Sequence, residues 1–382
     1  MKNSLLIDCS YIDNSLVSKG SLVIYAARLI QGFLKYGHYH VHVLLWREME
    51  NYIDDLVGQE YNKIVLDRDD LFVKSRWCYR IFGLLPRQLK KELRRREIST
   101  ILMPNCVYGY FYYSKSNKHY AILHDLFWYD NVRKERGRVS YFLWRKYRSM
   151  LIRKYPHIIS ISKVTRNELL RIEGKESDVV YNSIPFDFII QEQSVEMARG
   201  KKYILDVNRF EQYKNAEVLI RALALLKNII PHVLYLKGGL DDEEDYKRIQ
   251  GVVAELGLED RVILDRSFRT EGELHYLYTH ADLFVSPSLR EGFGWTPIEA
   301  AIHKTPVLVS NIEVLQEITC GKTPTFDPQS PKDLAKHILE ILNNPPSEQE
   351  RIEIAEFYLN RYSLKNQIER FEEIMRVNYD II

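Results

Sequence analysis

The chain has 382 residues, 46% hydrophobic and 28% charged, an ordinary globular composition and too many residues for one typical core. Its apolar runs fall far short of the about 20 residues that cross a bilayer, and the first eight residues read as a short strand rather than a signal peptide. Cys9, Cys78, Cys106 and Cys320 stand far apart with no C-x-x-C pair, so a reduced, cytoplasmic chain is expected. The net charge of +2 hides an imbalance: residues 1–190 hold 31 Lys and Arg against 20 Asp and Glu, and the remainder holds 23 against 32. A basic half beside an acidic half suggests that the first faces something anionic, such as a membrane surface, a lipid pyrophosphate or nucleic acid.

Taken in order, Leu5 to Asp8 reads as a buried strand, followed by a polar loop ending in Lys19-Gly20-Ser21. Leu22 to Lys35 has helical apolar spacing closed by Gly37, and Val41 to Trp46 is the next strand. This is the opening of a Rossmann-like unit. His38, His40 and His42 alternate, which puts them on one face of an extended segment. No carboxylate or cysteine nearby in sequence completes a ligand set, so no metal site is expected. Residues 72–98 interleave Phe72, Trp77, Tyr79 and Phe82 with many Lys and Arg, and 133–154 repeats the pattern with Tyr141, Phe142, Trp144 and Tyr147. Such stretches suit a membrane interface, or equally a solvated helix with its aromatics turned into the core. No recognised module accompanies the charge, so nucleic acid is not the expected partner.

Residues 186–201 lack periodicity, and a fresh strand begins at Lys202, so a junction is placed at 195/196. Arg209 and Lys214 follow that strand in a loop, where two cations can neutralise a diphosphate. Asn215 reads as the N-cap of the helix beginning at Ala216. The acidic run Asp241 to Asp245 reads as a helix start rather than a metal site. The strand Ala281 to Val285 then runs into Glu291-Gly292-Phe293-Gly294-Trp295-Thr296-Pro297-Ile298-Glu299. Thr296 is read as N-cap, Pro297 as N1 and Glu299 as a capping-box glutamate. A glycine loop running into a helix N-terminus suits a phosphate, while Glu291 and Glu299 are better matched to hydroxyls. Phosphate and hydroxyls on one ligand suggest a sugar nucleotide. A lone pair of glutamates at this spacing would equally be a helix cap and a solvated loop residue.

The E-x7-E stretch of Glu291 and Glu299 resembles the signature of family-4 retaining glycosyltransferases, the glycosyl transferases group 1, with a resemblance to bacterial polysaccharide and mannosyltransferase-type members. The Arg209-x4-Lys214 pair and the His124-Asp125-Leu126 after a central strand match that family as well. The resemblance implies an α/β chain of GT-B architecture, with two Rossmann-like domains facing an interdomain crevice. The expected domains are 1–195, joined by a returning helix at 364–382, and 196–363. It implies that Glu291 and His124 reach the donor sugar, that Glu299 holds the ribose, and that Arg209 and Lys214 meet the diphosphate. Gly20 becomes the phosphate-loop candidate in the first domain. Phe268 lies where the family's backbone meets the nucleobase, and Gly292, Phe293, Gly294, Trp295 and Thr296 complete the donor loop. Ser183 and Lys304 stand where glycine is usual in the family.

The implied activity is transfer of a hexosyl unit, with retention and without a metal or other cofactor, from a nucleotide-diphosphate sugar to a saccharide or lipid-linked acceptor. Assembly of a cell-surface polysaccharide, at the inner face of the cytoplasmic membrane, is the expected setting. Two rivals stand beside this reading: another GT-B enzyme, such as a sugar-nucleotide epimerase or a glucan synthase, and a non-catalytic partner of a synthesis complex.

Overall fold

The computed structural model describes residues 3–12, 20–67, 87–107, 117–127, 138–184, 191–239 and 243–377. Residues 72–86 and 133–137 of the basic–aromatic stretches, and Cys78, lie outside them. The chain separates into two compact units, Met1–Pro185 with Leu364–Ile382 and Phe186–Ser363. This division falls at Pro185, ahead of the 195/196 junction read from the sequence. The reason is long-range: Gln193 N–H donates to the Gly272 carbonyl (3.1 Å), and Val195 is buried.

The first unit is built on a seven-stranded parallel sheet of order β3-β2-β1-β4-β5-β6-β7. Its strands are β1 Ser4–Asp8, β2 His40–Trp46, β3 Asn62–Leu66, β4 Ile98–Met103, β5 Lys118–Leu123, β6 His157–Ser160 and β7 Asp178–Val179. All five residues of β1 are buried, as a strand covered on both faces requires. Helices α1 Ser21–Tyr36, α2 Glu50–Val57, α3 Arg87–Arg95, α4 Arg138–Lys154 and α5 Lys163–Glu173 connect the strands. The strand order reverses between β1 and β4, so the carboxyl ends of β1, β4 and β5 surround a topological switch point.

The second unit has a six-stranded parallel sheet of order β10-β9-β8-β11-β12-β13, with its own reversal between β8 and β11. The strands are β8 Tyr203–Val207, β9 Val233–Lys237, β10 Val262–Asp265, β11 Leu283–Ser286, β12 Val307–Ser310 and β13 Thr325–Phe326. Between and after them come α6 Ala216–Leu226, α7 Glu243–Glu255, α8 Glu271–Thr279, α9 Trp295–Ile302, α10 Glu313–Thr319, α11 Pro331–Asn343 and α12 Glu348–Arg361. The run Glu243-Glu244-Asp245 occupies the first turn of α7, where the helix dipole favours it.

The last helix, α13 Leu364–Val377, packs on α1 within the first unit. A methyl group at Gly32 of α1 would lie 2.7 Å from Ile368 Cδ1, so glycine is what lets the two helices approach. Phe33 and Phe371 meet with ring centroids 6.0 Å apart, and Gln367 Nε2 donates to the Tyr181 carbonyl at 3.1 Å. Glu372 pairs with His38 at 2.7 Å. The alternating histidines therefore divide: the rings of His40 and His42 meet edge-on at 4.8 Å, and His38 is engaged elsewhere. His38 precedes β2 and serves the helix contact, whereas Arg96 donates to His42 Nδ1 at 3.1 Å. Burial, reinforced by Arg96, pulls His42 down to about 4.

Candidate functional site

The adjacency of β8 and β11 brings their following loops together, although some 80 residues of chain separate them. The Leu289 N–H donates to the Tyr213 carbonyl at 2.8 Å. Asn215 sits left-handed at φ 59° before α6, but its side chain does not cap that helix. Instead Nδ2 donates to the carbonyls of Pro287 (3.1 Å) and Pro328 (2.8 Å), stapling the two loops. Between them Lys214 Nζ meets Glu291 Oε1 at 2.6 Å, and Ser288 Oγ donates to the same oxygen at 2.8 Å. Both charged side chains are largely enclosed.

Behind this pair, at the carboxyl end of β8, lies Asp206, fully buried and accepting from Asn208 Nδ2 at 2.6 Å. Burial pushes its carboxyl up to about 7 against the pull of the Asn208 hydrogen bond and the Lys214 charge, and Glu291 adds to the rise. The Lys214 ammonium thus contacts Glu291 and acts on Asp206 through its charge. Arg209 is not part of that set; its guanidinium pairs with Glu211 at 3.2 Å. Its stem lies over Gly239, 3.5 Å from where a Cβ would stand, and the Phe210 ring fills the space at Gly238.

Helix α9 begins earlier than its sequence suggests. Its N-cap is Gly294, at φ 90°, with no side-chain cap, so Thr296 and Pro297 lie inside the first turn. An added methyl at Gly294 would fall 2.7 Å from Leu315 Cδ2, on top of a backbone conformation that side chains resist. Phe293 is buried edge-on against Tyr362, with Trp295 edge-on to Phe293 at 6.4 Å, so these rings hold the loop between Gly292 and α9. Glu299 is not a capping residue. Its Oε2 accepts from the phenol of Tyr278 on α8 at 2.7 Å. Burial pushes Glu299 up to about 7, with the phenol opposing.

Three further residues named from the sequence stand apart. Phe268, after β10, is 86% exposed, while its neighbours are engaged: Arg266 lies over the Tyr246 ring and pairs with Glu243, and Arg269 pairs with Asp265 and Glu273. In the first unit, Gly20 takes φ 49° at the N-cap of α1. His124, just past β5, bonds through Nε2 to the Pro104 carbonyl at 2.8 Å and meets the Tyr25 ring edge-on at 4.7 Å. That bond puts the proton on Nε2 and leaves Nδ1 as an acceptor. Burial draws His124 down to about 4, so it is neutral at physiological pH.

Residues 187–356 match the family described as glycosyl transferases group 1. The match spans the second unit nearly from end to end. Over 225 residues the chain is 27% identical to the O-antigen chain mannosyltransferase RfbU of Salmonella typhimurium, covering 57% of this chain and 58% of that protein. Over 202 residues it is 30% identical to the serotype-specific mannosyltransferase WbdA of Escherichia coli, covering 49% of this chain and 24% of that protein. The chain thus spans less than two thirds of either relative. Anabaena HepE, solved with UDP and glucose, shares the fold with TM-score 0.70 at 15% identity, over 99% of this chain and 100% of that one. The architecture is GT-B, two Rossmann-like units each on its own parallel sheet.

In the second unit the structure unites Lys214 with Glu291 and gives Glu299 a tyrosine partner. Asp206, Ser288 and Tyr278 were missed by the sequence reading. Asp206 had a usable signal, an acid near the carboxyl end of a buried strand just before the Arg209-x4-Lys214 loop. Tyr278 had none, because an aromatic beside Leu277 on the buried face of a helix reads as core. Among the described residues no three His, Cys, Asp or Glu side chains gather into a metal-holding group.

Proposed function

We propose that the chain transfers a hexosyl unit from a nucleotide-diphosphate sugar to a saccharide or lipid-linked saccharide in the assembly of a surface polysaccharide, with retention and without a metal. The observation that carries this reading is the Lys214–Glu291 contact, which joins the two motif loops at the switch point of the second unit. Two mannosyltransferases among the relatives favour mannose as the sugar.

Lys214 and Arg209, with the N-terminus of α9, offset the charge that grows on the leaving diphosphate, the kind of fixed electrostatics that lowers such barriers most. Glu291 accepts hydrogen bonds from the sugar hydroxyls while Lys214 and Ser288 hold its other oxygen. Glu299 accepts from the ribose, and neutral His124 offers Nδ1 to a sugar hydroxyl. No residue is assigned as a covalent nucleophile; the acceptor hydroxyl attacks from the leaving-group side. Calorimetric titration with UDP, GDP and ADP, with and without EDTA, tests the donor site. Binding of one nucleotide family, unchanged by EDTA, is expected; absence of binding by all three would overturn the reading.

The membrane is the partner this reading assigns to α4. Its 17 residues carry six Lys or Arg and no acid. Tyr141, Trp144 and Tyr147 pack against the core, and Arg148 lies over Trp144, so these aromatics are internal. Phe142 (54%) and Leu143 (62%) are exposed, with Met150 on the outer side as well. An apolar surface set among cations suits anionic lipid headgroups. No helix among the described residues is long and apolar enough to cross a membrane.

A further inference from the structure

Glu299 is held by one oxygen only. Oε2 accepts from Tyr278, while Oε1 has no hydrogen bond among the described residues, and the side chain is partly open to solvent. The phenol that holds it is itself fixed. The Tyr278 ring stacks on His303 at 5.2 Å and 24°, and meets Phe284 on a centroid distance of 5.8 Å. Its backbone carbonyl accepts from the Thr305 hydroxyl. His303 closes the ring of contacts, bonding through Nδ1 to the Glu299 carbonyl at 2.6 Å. Thus α8 and the carboxyl end of α9 are locked together around one carboxylate.

We propose that Tyr278 is a positioning residue for nucleoside recognition, its phenol holding Glu299 Oε2 so that Oε1 is presented to the ribose hydroxyls of the donor. This rests on the reading of the second unit as a nucleotide-sugar site. The titratable groups facing the pair are Tyr278 itself, His303 on the α9 side and His275 on α8, 4.7 Å from His303; Asp206 also acts on the phenol. His303 is drawn down to about 4 by burial, so it stays neutral near pH 7 and does not charge the site. Burial lifts Glu299 and the phenol lowers it, so loss of the phenol raises the pH at which the carboxylate forms.

The test is Tyr278→Phe, which keeps the stacked ring and removes one oxygen. UDP, GDP and ADP, and their 2′,3′-dideoxy counterparts, are titrated into the full chain between pH 6 and 9. The unchanged protein prefers the ribose form about tenfold, as hydrogen bonds to a charged group allow. Tyr278→Phe reduces that preference to about threefold at pH 7 and moves its pH midpoint upward, whereas a purely packing role would move neither. Glu299→Gln abolishes the preference in either background. A full preference with an unshifted midpoint in Tyr278→Phe overturns the role of Tyr278. Equal binding of ribose and dideoxy forms by the unchanged protein overturns the assignment of Glu299 itself, and no nucleotide binding overturns the proposed function.

Discussion

At the scale of single residues, the site is a buried charge arrangement in which Lys214 contacts Glu291 and acts on Asp206 through its charge. Asp206 has its carboxyl raised to about 7, against about 3.9 in an unfolded chain. Between these values the folded protein holds a proton that the unfolded chain has lost. Stability from this group is therefore complete at low pH, declines as pH rises toward 7, and is level above it. Asp206→Asn removes that decline. Comparing unfolding free energies from pH 4 to 8, the variant gains on the unchanged protein by at most about 1.4 kcal/mol per pH unit up to pH 7, then tracks it. A difference that does not vary with pH would contradict the assignment. Lys214 and Glu291 were legible in the sequence because motif spacing marks them. Their direct contact was not, since it depends on β8 and β11 being neighbours, whereas Asp206 was missed although its place at the end of a buried strand, just before the Arg209-x4-Lys214 loop, marked it.

At the scale of elements, helix starts and turns decide the site's geometry. The sequence placed the start of α9 at Thr296 because a Thr-Pro-x-Glu pattern imitates a capping box. The structure starts it at Gly294, whose positive φ turns the chain sharply enough to release Glu299 for Tyr278. Where a family glycine is replaced, the cost should be measurable. Lys304 follows α9 at φ 63° with its side chain exposed, a conformation that disfavours any side chain. Lys304→Gly relieves that strain but frees the unfolded chain, so a net gain of up to about 1 kcal/mol is expected in denaturant unfolding. A loss would show that the lysine side chain earns its place by a contact of its own.

At the scale of the whole molecule, both Rossmann-like units were readable from strand, loop and helix alternation. The junction was displaced because residues 191–201 are tied to the second unit by contacts with α8 and its approach, which local pattern cannot show. The uneven charge was also visible from the start, but which aromatics of α4 face outward was not: helical position puts Phe142 and Trp144 on opposite faces, and only packing shows that the Trp144 face is the covered one. Flotation with anionic vesicles puts the outer face to work. The unchanged chain is expected to float at low salt, and Phe142→Ser with Leu143→Ser to reduce the floating fraction several-fold without lowering the unfolding temperature. An unchanged chain that stays at the bottom of the gradient would remove the membrane from the account.

The measurement that bears most directly on the central claim is sugar transfer by the unchanged chain and by Glu291→Gln, with labelled nucleotide sugars, mannose donors first, and lipid-linked saccharide acceptors. Glutamine can still accept from Lys214 and Ser288, so the loops stay joined while the charge is removed. On this reading the product keeps the anomeric configuration and forms in EDTA, at a rate about a hundredfold lower in Glu291→Gln, with nucleoside diphosphate binding preserved. Equal rates in the two proteins would contradict it.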